Sequence, residues 1–185
     1  MRYWWVAAAL FLLVLLFSSC PRTTGQRCGV VNALGYDGHA GVVVPLEICV
    51  IPGEGSVYLD SRNIYGVDFQ KAVAAARDVF KHRHGNQGKS FLLRVRGVPE
   101  YLDGRSVALA VYAGIFAVSF DHDISNYAFT GGLGPDGSVL PVTHVNEKAS
   151  AFDGPVVVPR ANCMDGLICV SNVDQLERTI TSKRV

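Results

Sequence analysis

The sequence predicts an α+β fold with a mixed sheet, hairpins and packed helices, on three observations. Runs rich in β-branched residues alternate irregularly with runs of helical period. Gly/Pro turns at 52–55 and 134–137 separate apolar runs at hairpin spacing. Residues 107–118 are apolar almost throughout, which predicts a helix enclosed by other elements. A strict strand–helix alternation, the mark of a doubly wound parallel sheet, is missing.

The chain opens with one arginine, Arg2, and an apolar run from Tyr3 to Phe17. At roughly 1.5 Å per residue, a helix through Ser19 just spans a hydrocarbon layer of ~30 Å, so residues 1–20 are expected to be a signal peptide or an N-terminal membrane anchor. Phe17-Ser18-Ser19-Cys20 also resembles a lipoprotein cleavage site with Cys20 as the acylated residue. Arg2 before the run and Arg22 and Arg27 after it leave the orientation open. The signal-like direction makes the protein membrane-anchored or secreted, with the remainder extracytoplasmic. Residues 21–40, rich in Gly and Thr, read as a polar linker, and 41–185 as one domain.

Within that domain, "GVVVPLEICVIPG" reads as a strand and "GSVYLDS" as its hairpin partner. In "DFQKAVAAARDVFKHR" the residues Phe69, Val73, Ala76 and Phe80 recur at steps of three and four, which predicts an amphipathic helix. "SFLLRVRGVP" reads as a strand, with Arg94 and Arg96 on one side and Val95 on the other. After the enclosed helix, "YAFTGGLGPDGSVLPV" predicts two short strands about its turn, "EKASAF" a helical segment and "GPVVVP" a buried strand. "NVDQLERTI" predicts a terminal helix capped by Asn172.

Composition narrows the function. The chain of 185 residues is 49% hydrophobic with a formal net charge of +1, and no long basic block suggests nucleic acid as a partner. Cys28, Cys49, Cys163 and Cys169 form an even set, compatible with two disulfides in an oxidising compartment or with four unpaired thiols, and no pairing follows from spacing. No Cys/His cluster has metal spacing, so neither a metal nor a cofactor is expected. "GNQGKS" ends like a phosphate-binding loop, but Arg83 stands where the motif needs glycine, so no ATPase module is expected in this chain. Among His39, His82, His84, His122 and His144, only His144 lies close to other residues of interest, and it reads as a loop histidine near a strand end.

Two residues suggest chemistry. Ser106 stands in the first turn of the apolar helix, the position of a capping group or of a mounted nucleophile. Lys148 follows a strand end by one helical turn and is followed by small residues. Turned inward, its amine loses solvation, its pKa falls, and it becomes a base for a serine; turned outward, it is an ordinary surface lysine.

"LDGRS", "TGGL", "GSVLPV", "NEKASA" and "VVVPRANCMDG", in this order, resemble the proteolytic domain of the Lon family of Ser-Lys peptidases. The resemblance covers most of the chain after the linker. It implies a Lon proteolytic-domain-like fold and a serine endopeptidase with Ser106 as nucleophile and Lys148 as base. Thr130, Asp103 and Gly104 take supporting roles, Thr130 by a hydrogen bond that orients the lysine, and backbone N–H groups from Gly104 to Ser106 face the oxyanion. Polypeptide substrates, a ring-shaped homo-oligomer and a separate ATPase partner are further expectations. Arg105 replaces the family proline, Val107-Ala108 replaces Ala-Gly, Gly132 replaces a glutamate, and Thr143-His144-Val145-Asn146 replaces Gly-Gly-Leu-Lys. These departures keep a second reading open: a non-catalytic peptide-binding or assembly module. A cysteine or histidine hydrolase is a third.

Overall fold

The computed structural model describes residues 27–97 and 101–182. The expected signal peptide or anchor at 1–20, with Cys20, and the first part of the expected linker lie outside the described residues. Among the described residues, no helix is long and apolar enough to cross a membrane.

The elements are β1 (Cys28–Tyr36), β2 (Gly41–Pro52), β3 (Val57–Leu59), β4 (Ile64–Tyr65), α1 (Val67–His84), β5 (Lys89–Val95) and β6 (Tyr101–Leu102), followed by a 3-10 turn (Arg105–Val107) and α2 (Ala108–Phe120). Then come β7 (Ala128–Phe129), β8 (Gly132–Leu133), β9 (Val139–Leu140), α3 (Val145–Ser150), β10 (Val156–Pro159), a second 3-10 turn (Arg160–Asn162), β11 (Ile168–Val170) and α4 (Val173–Thr181). Seven strands form one sheet in the order β11-β10-β7-β1-β2-β5-β3. Within it β2 runs against both neighbours, β1 and β5, while every other pairing is parallel. The fold is α+β with a mixed sheet, as the sequence predicts.

Strand alternation divides the core in two. Ala33, Phe129 and Val157 belong to the larger cluster, with α1, α2 and α4. Their chain neighbours Leu34, Ala128, Val156 and Val158 belong to a smaller cluster that includes Val145 of α3. Helix α2 is buried from Ala108 to Ser119, which explains its lack of a polar face. Asn172 caps α4 by accepting a hydrogen bond from the Gln175 N–H at 3.0 Å.

Two expectations are corrected. Residues 28–36, read as part of the 21–40 linker, form β1, which lies between β7 and β2. Asn32 interrupts its apolar pattern and is nevertheless buried, because its amide donates to the carbonyls of Ser125 and Tyr127 at 2.8 and 3.0 Å. The hairpin of β2 with β3 does not form, since β5 enters between them. Backbone bonds from Gly53, Gly55 and Phe91 stitch 53–56 to 88–91, and the buried Ser90 hydroxyl accepts the Ser56 N–H at 3.1 Å.

The cysteines form two disulfides, Cys28–Cys49 across the β1–β2 register and Cys163–Cys169 closing the loop into β11. Cys28, Glu47 and Cys49 come close enough to hold a metal ion, but both sulfurs are already bonded to each other.

The C-terminal helix is tied to the core through Glu177, which accepts hydrogen bonds from Tyr112 and Arg83 and contacts His84 Nε2 at 3.0 Å. Burial pushes the Glu177 carboxyl up, but these donors outweigh it and leave it below its ordinary 4.5. A depressed carboxyl contributes stability above its unfolded pKa and loses it as pH falls through the folded value. Glu177→Gln is therefore expected to cost about 2 kcal/mol at neutral pH, a typical loss for hydrogen bonds to a buried charge. Urea melts from neutral pH to below the ordinary 4.5 should show the difference from wild type shrinking on acidification.

Candidate active site

Ser106 and Lys148 come from opposite sides of the sheet. Ser106 lies in the turn that leads into α2, over the larger cluster, and Lys148 lies on α3, over the smaller one. They meet in a cavity of about 760 Å³ at the hairpin end of β1 and β2, lined also by Tyr36, Val44, Gly104 and His144.

Ser106 is positioned from three directions. Upstream, Asp103 replaces the missing side-chain cap of α1: its Oδ1 accepts the N–H groups of Asp68 and Phe69 at 3.0 and 3.1 Å. The same oxygen accepts the Gly104 N–H at 2.8 Å, and Oδ2 accepts the Tyr101 hydroxyl at 3.0 Å. The N–H of Gly104 first, then that of Phe69, hold this carboxyl below its ordinary value. A Cβ on Gly66 would fall 2.3 Å from the Asp103 carboxyl carbon, so the helix start has room for the cap only because that residue is glycine. Gly104, at φ 105° and ψ 148°, then turns the chain through backbone space that suits glycine alone. On the far side, the Gly131 N–H donates to the Ser106 carbonyl at 2.9 Å, and the Leu109 N–H donates to the Gly131 carbonyl at 3.0 Å. Arg105 extends to Asp68 at 3.2 Å.

Lys148 is 4% exposed. No ion pair or hydrogen bond joins its ammonium to another described residue. Burial lowers its pKa from the ordinary 10.5, while the adjacent Glu147 works in the opposite direction. Helix α3 sits against the hairpin at Gly41, where a Cβ would lie 2.0 Å from the Glu147 carbonyl oxygen and 2.8 Å from the Lys148 Cα. The lysine-bearing helix and any side chain at 41 therefore compete for one volume.

The supporting residues fare differently. Gly104 and Asp103 line the cavity, though Asp103 serves chiefly as the cap for α1. Thr130 is fully buried, its N–H donates to the Val157 carbonyl at 3.1 Å, and its hydroxyl has no hydrogen-bond partner. The bond expected from Thr130 to Lys148 is not formed, nor does a hydrogen bond join Ser106 to Lys148. Of the N–H groups expected to face an oxyanion, that of Gly104 is taken by Asp103.

His144, read from the sequence as a loop histidine near a strand end, also lines the cavity. It adopts a left-handed conformation at φ 57°, its ring stacks on Tyr36 at 4.1 Å, and its carbonyl accepts the Lys148 N–H at 3.0 Å. The left-handed conformation is one that glycine adopts most readily. Tyr36 was hidden by the linker reading.

No protein-family model matches the chain, and no curated protein matches it in sequence. The α+β architecture alone identifies no family.

Gly41→Ala is expected to displace α3 and to leave the rest of the fold in place. Amide exchange should show lost protection confined to α3 and the β1–β2 hairpin end. Gly104→Ala should cost about 1–3 kcal/mol from backbone strain, and Asp103→Ala should fray the first turn of α1, read as faster amide exchange at Asp68 and Phe69.

Proposed function

We propose that the protein is a serine endopeptidase that cleaves polypeptides through Ser106 and Lys148. One observation carries the reading: a serine mounted on a rigid turn and a buried lysine without an ion-pair partner line the same cavity. An ammonium largely withdrawn from water and without an ion-pair partner loses stability relative to the neutral amine, and a neutral amine is the base a serine needs. A hydrogen bond between the two side chains would form when substrate excludes the remaining water, as catalytic pairs commonly close only in the substrate complex.

Lys148 Nζ takes the Ser106 hydroxyl proton as Oγ attacks the scissile carbonyl carbon. The oxyanion is met by the N–H groups of Arg105 and Ser106 at the start of α2, where the helix dipole favours negative charge. The lysine then protonates the leaving amine, the C–N bond breaks, and an acyl-enzyme on Ser106 remains. Water, deprotonated by the same amine, releases the acid and regenerates the hydroxyl. The resemblance to Lon-type domains supports this reading, as does the order of its blocks. The two disulfides suit an extracytoplasmic, membrane-anchored or secreted domain.

A non-catalytic peptide-binding module is the second reading, favoured by the missing hydrogen bond between Ser106 and Lys148. Labelling with a serine-directed phosphonate separates the two. The peptidase reading expects covalent labelling and casein cleavage by wild type, both lost in Ser106→Ala; labelling that persists elsewhere would point to another nucleophile.

Lys148→Arg should abolish turnover, since a guanidinium stays protonated at any working pH. Cleavage should rise with pH and level off below the ordinary lysine value of 10.5, because burial lowers the pKa of the base. Between the folded value and 10.5 the unfolded chain binds more protons at this residue, so stability also rises with pH there. Lys148→Met should remove that slope, raise the urea midpoint at neutral pH and eliminate activity.

A further inference from the structure

The reaction cavity has a neighbour of about 430 Å³ that shares Val142 and His144 with it. Its walls combine two chemistries. Val142, Val145 and Met164 supply apolar surface, and Glu147 is its one acidic lining residue. Asn162 also lines it, but that amide is committed to the main chain of Val142, accepting its N–H at 2.8 Å and donating to its carbonyl at 3.0 Å. The Glu147 side chain is 47% exposed, and its closest basic group is the His144 ring, whose Nδ1 lies 3.9 Å away, beyond hydrogen-bond distance. A carboxylate with open coordination beside apolar surface matches a side chain with an aliphatic stem and a cationic end.

We propose that this second cavity is a subsite for a lysine or arginine side chain of the bound polypeptide, with Glu147 pairing with its cationic end. The inference rests on the reading that the Ser106 cavity holds a peptide chain. The stem lies along Val142 and Met164, and the shared wall at Val142 and His144 places the subsite within the reach of a chain that crosses Ser106. Occupancy also acts on the base. Glu147 precedes Lys148 on α3, and its charge opposes the effect of burial on the amine. A docked cation offsets that charge and moves Lys148 further toward the neutral form. The subsite therefore contributes to turnover as well as to binding.

The test uses the full-length Ser106→Ala chain and fluorescein-labelled decapeptides carrying one lysine at successive positions, each matched to a peptide with norleucine there. In one register the lysine peptide is expected to bind about fivefold tighter, the upper scale of a solvent-exposed ion pair. The preference should shrink in about 0.5 M salt and vanish in Ser106→Ala/Glu147→Gln. Equal binding of both peptides in every register, or a preference that survives Glu147→Gln in a variant with an unchanged thermal melt, overturns the proposal. With the wild-type chain, the lysine peptide in the preferred register should be cleaved with a higher kcat than its norleucine partner, and that gain should be lost in Glu147→Gln. A gain confined to KM overturns the coupling to Lys148. Binding preference without cleavage of either peptide supports the subsite and removes the peptidase reading instead.

Discussion

A buried amine that forms no ion pair or hydrogen bond with another described residue is the constraint around which this end of the molecule is arranged. Ordinary lysines keep the ammonium in water, and burial without a partner favours loss of the proton. Lys148 is held at 4% exposure on a helix of six residues, so the burial cannot come from that helix alone. It comes from the approach of α3 to the β1–β2 hairpin, which in turn requires a residue without a side chain at Gly41. One absent methyl group thus determines whether a charged side chain stays in solvent or enters the cavity.

The serine side of the cavity is built by a different device. The turn before α2 is held by more than its own residues; it is joined to α1 through Asp103 and to the 130–131 segment through the Ser106 carbonyl. Asp103 caps the first turn of α1 at Asp68, 35 positions earlier, so the position of Ser106 depends on α1 as well as on α2. The same carboxylate also takes the Gly104 N–H, which narrows the set of donors that can meet developing charge. Holding and reacting are divided between neighbouring residues.

Much of the fold was legible from local periodicity. The three- and four-residue spacing of Phe69, Val73, Ala76 and Phe80 marked α1, the unbroken apolar run marked an enclosed helix, and Asn172 marked the start of α4. β1 was missed because Asn32 breaks the pattern, and its burial depends on two carbonyls more than ninety residues away. The insertion of β5 between β2 and β3 was equally invisible, since strand order is decided by which backbone groups find partners, not by which strands follow each other. In the candidate site, Ser106 and Lys148 stood out by block order, whereas Tyr36 and His144 did not.

The sequence by itself determined the fold class and the kinds of element, because these follow from residue type and from spacing along a few turns of chain. Only the tertiary structure decided the pairing of the cysteines, the central place of β1, the duty of Asp103 as a distant cap and the entry of Lys148 into the cavity of Ser106. Each of these depends on groups far apart in the chain competing for the same volume or the same hydrogen bond, and that competition exists only once the sheet has assembled.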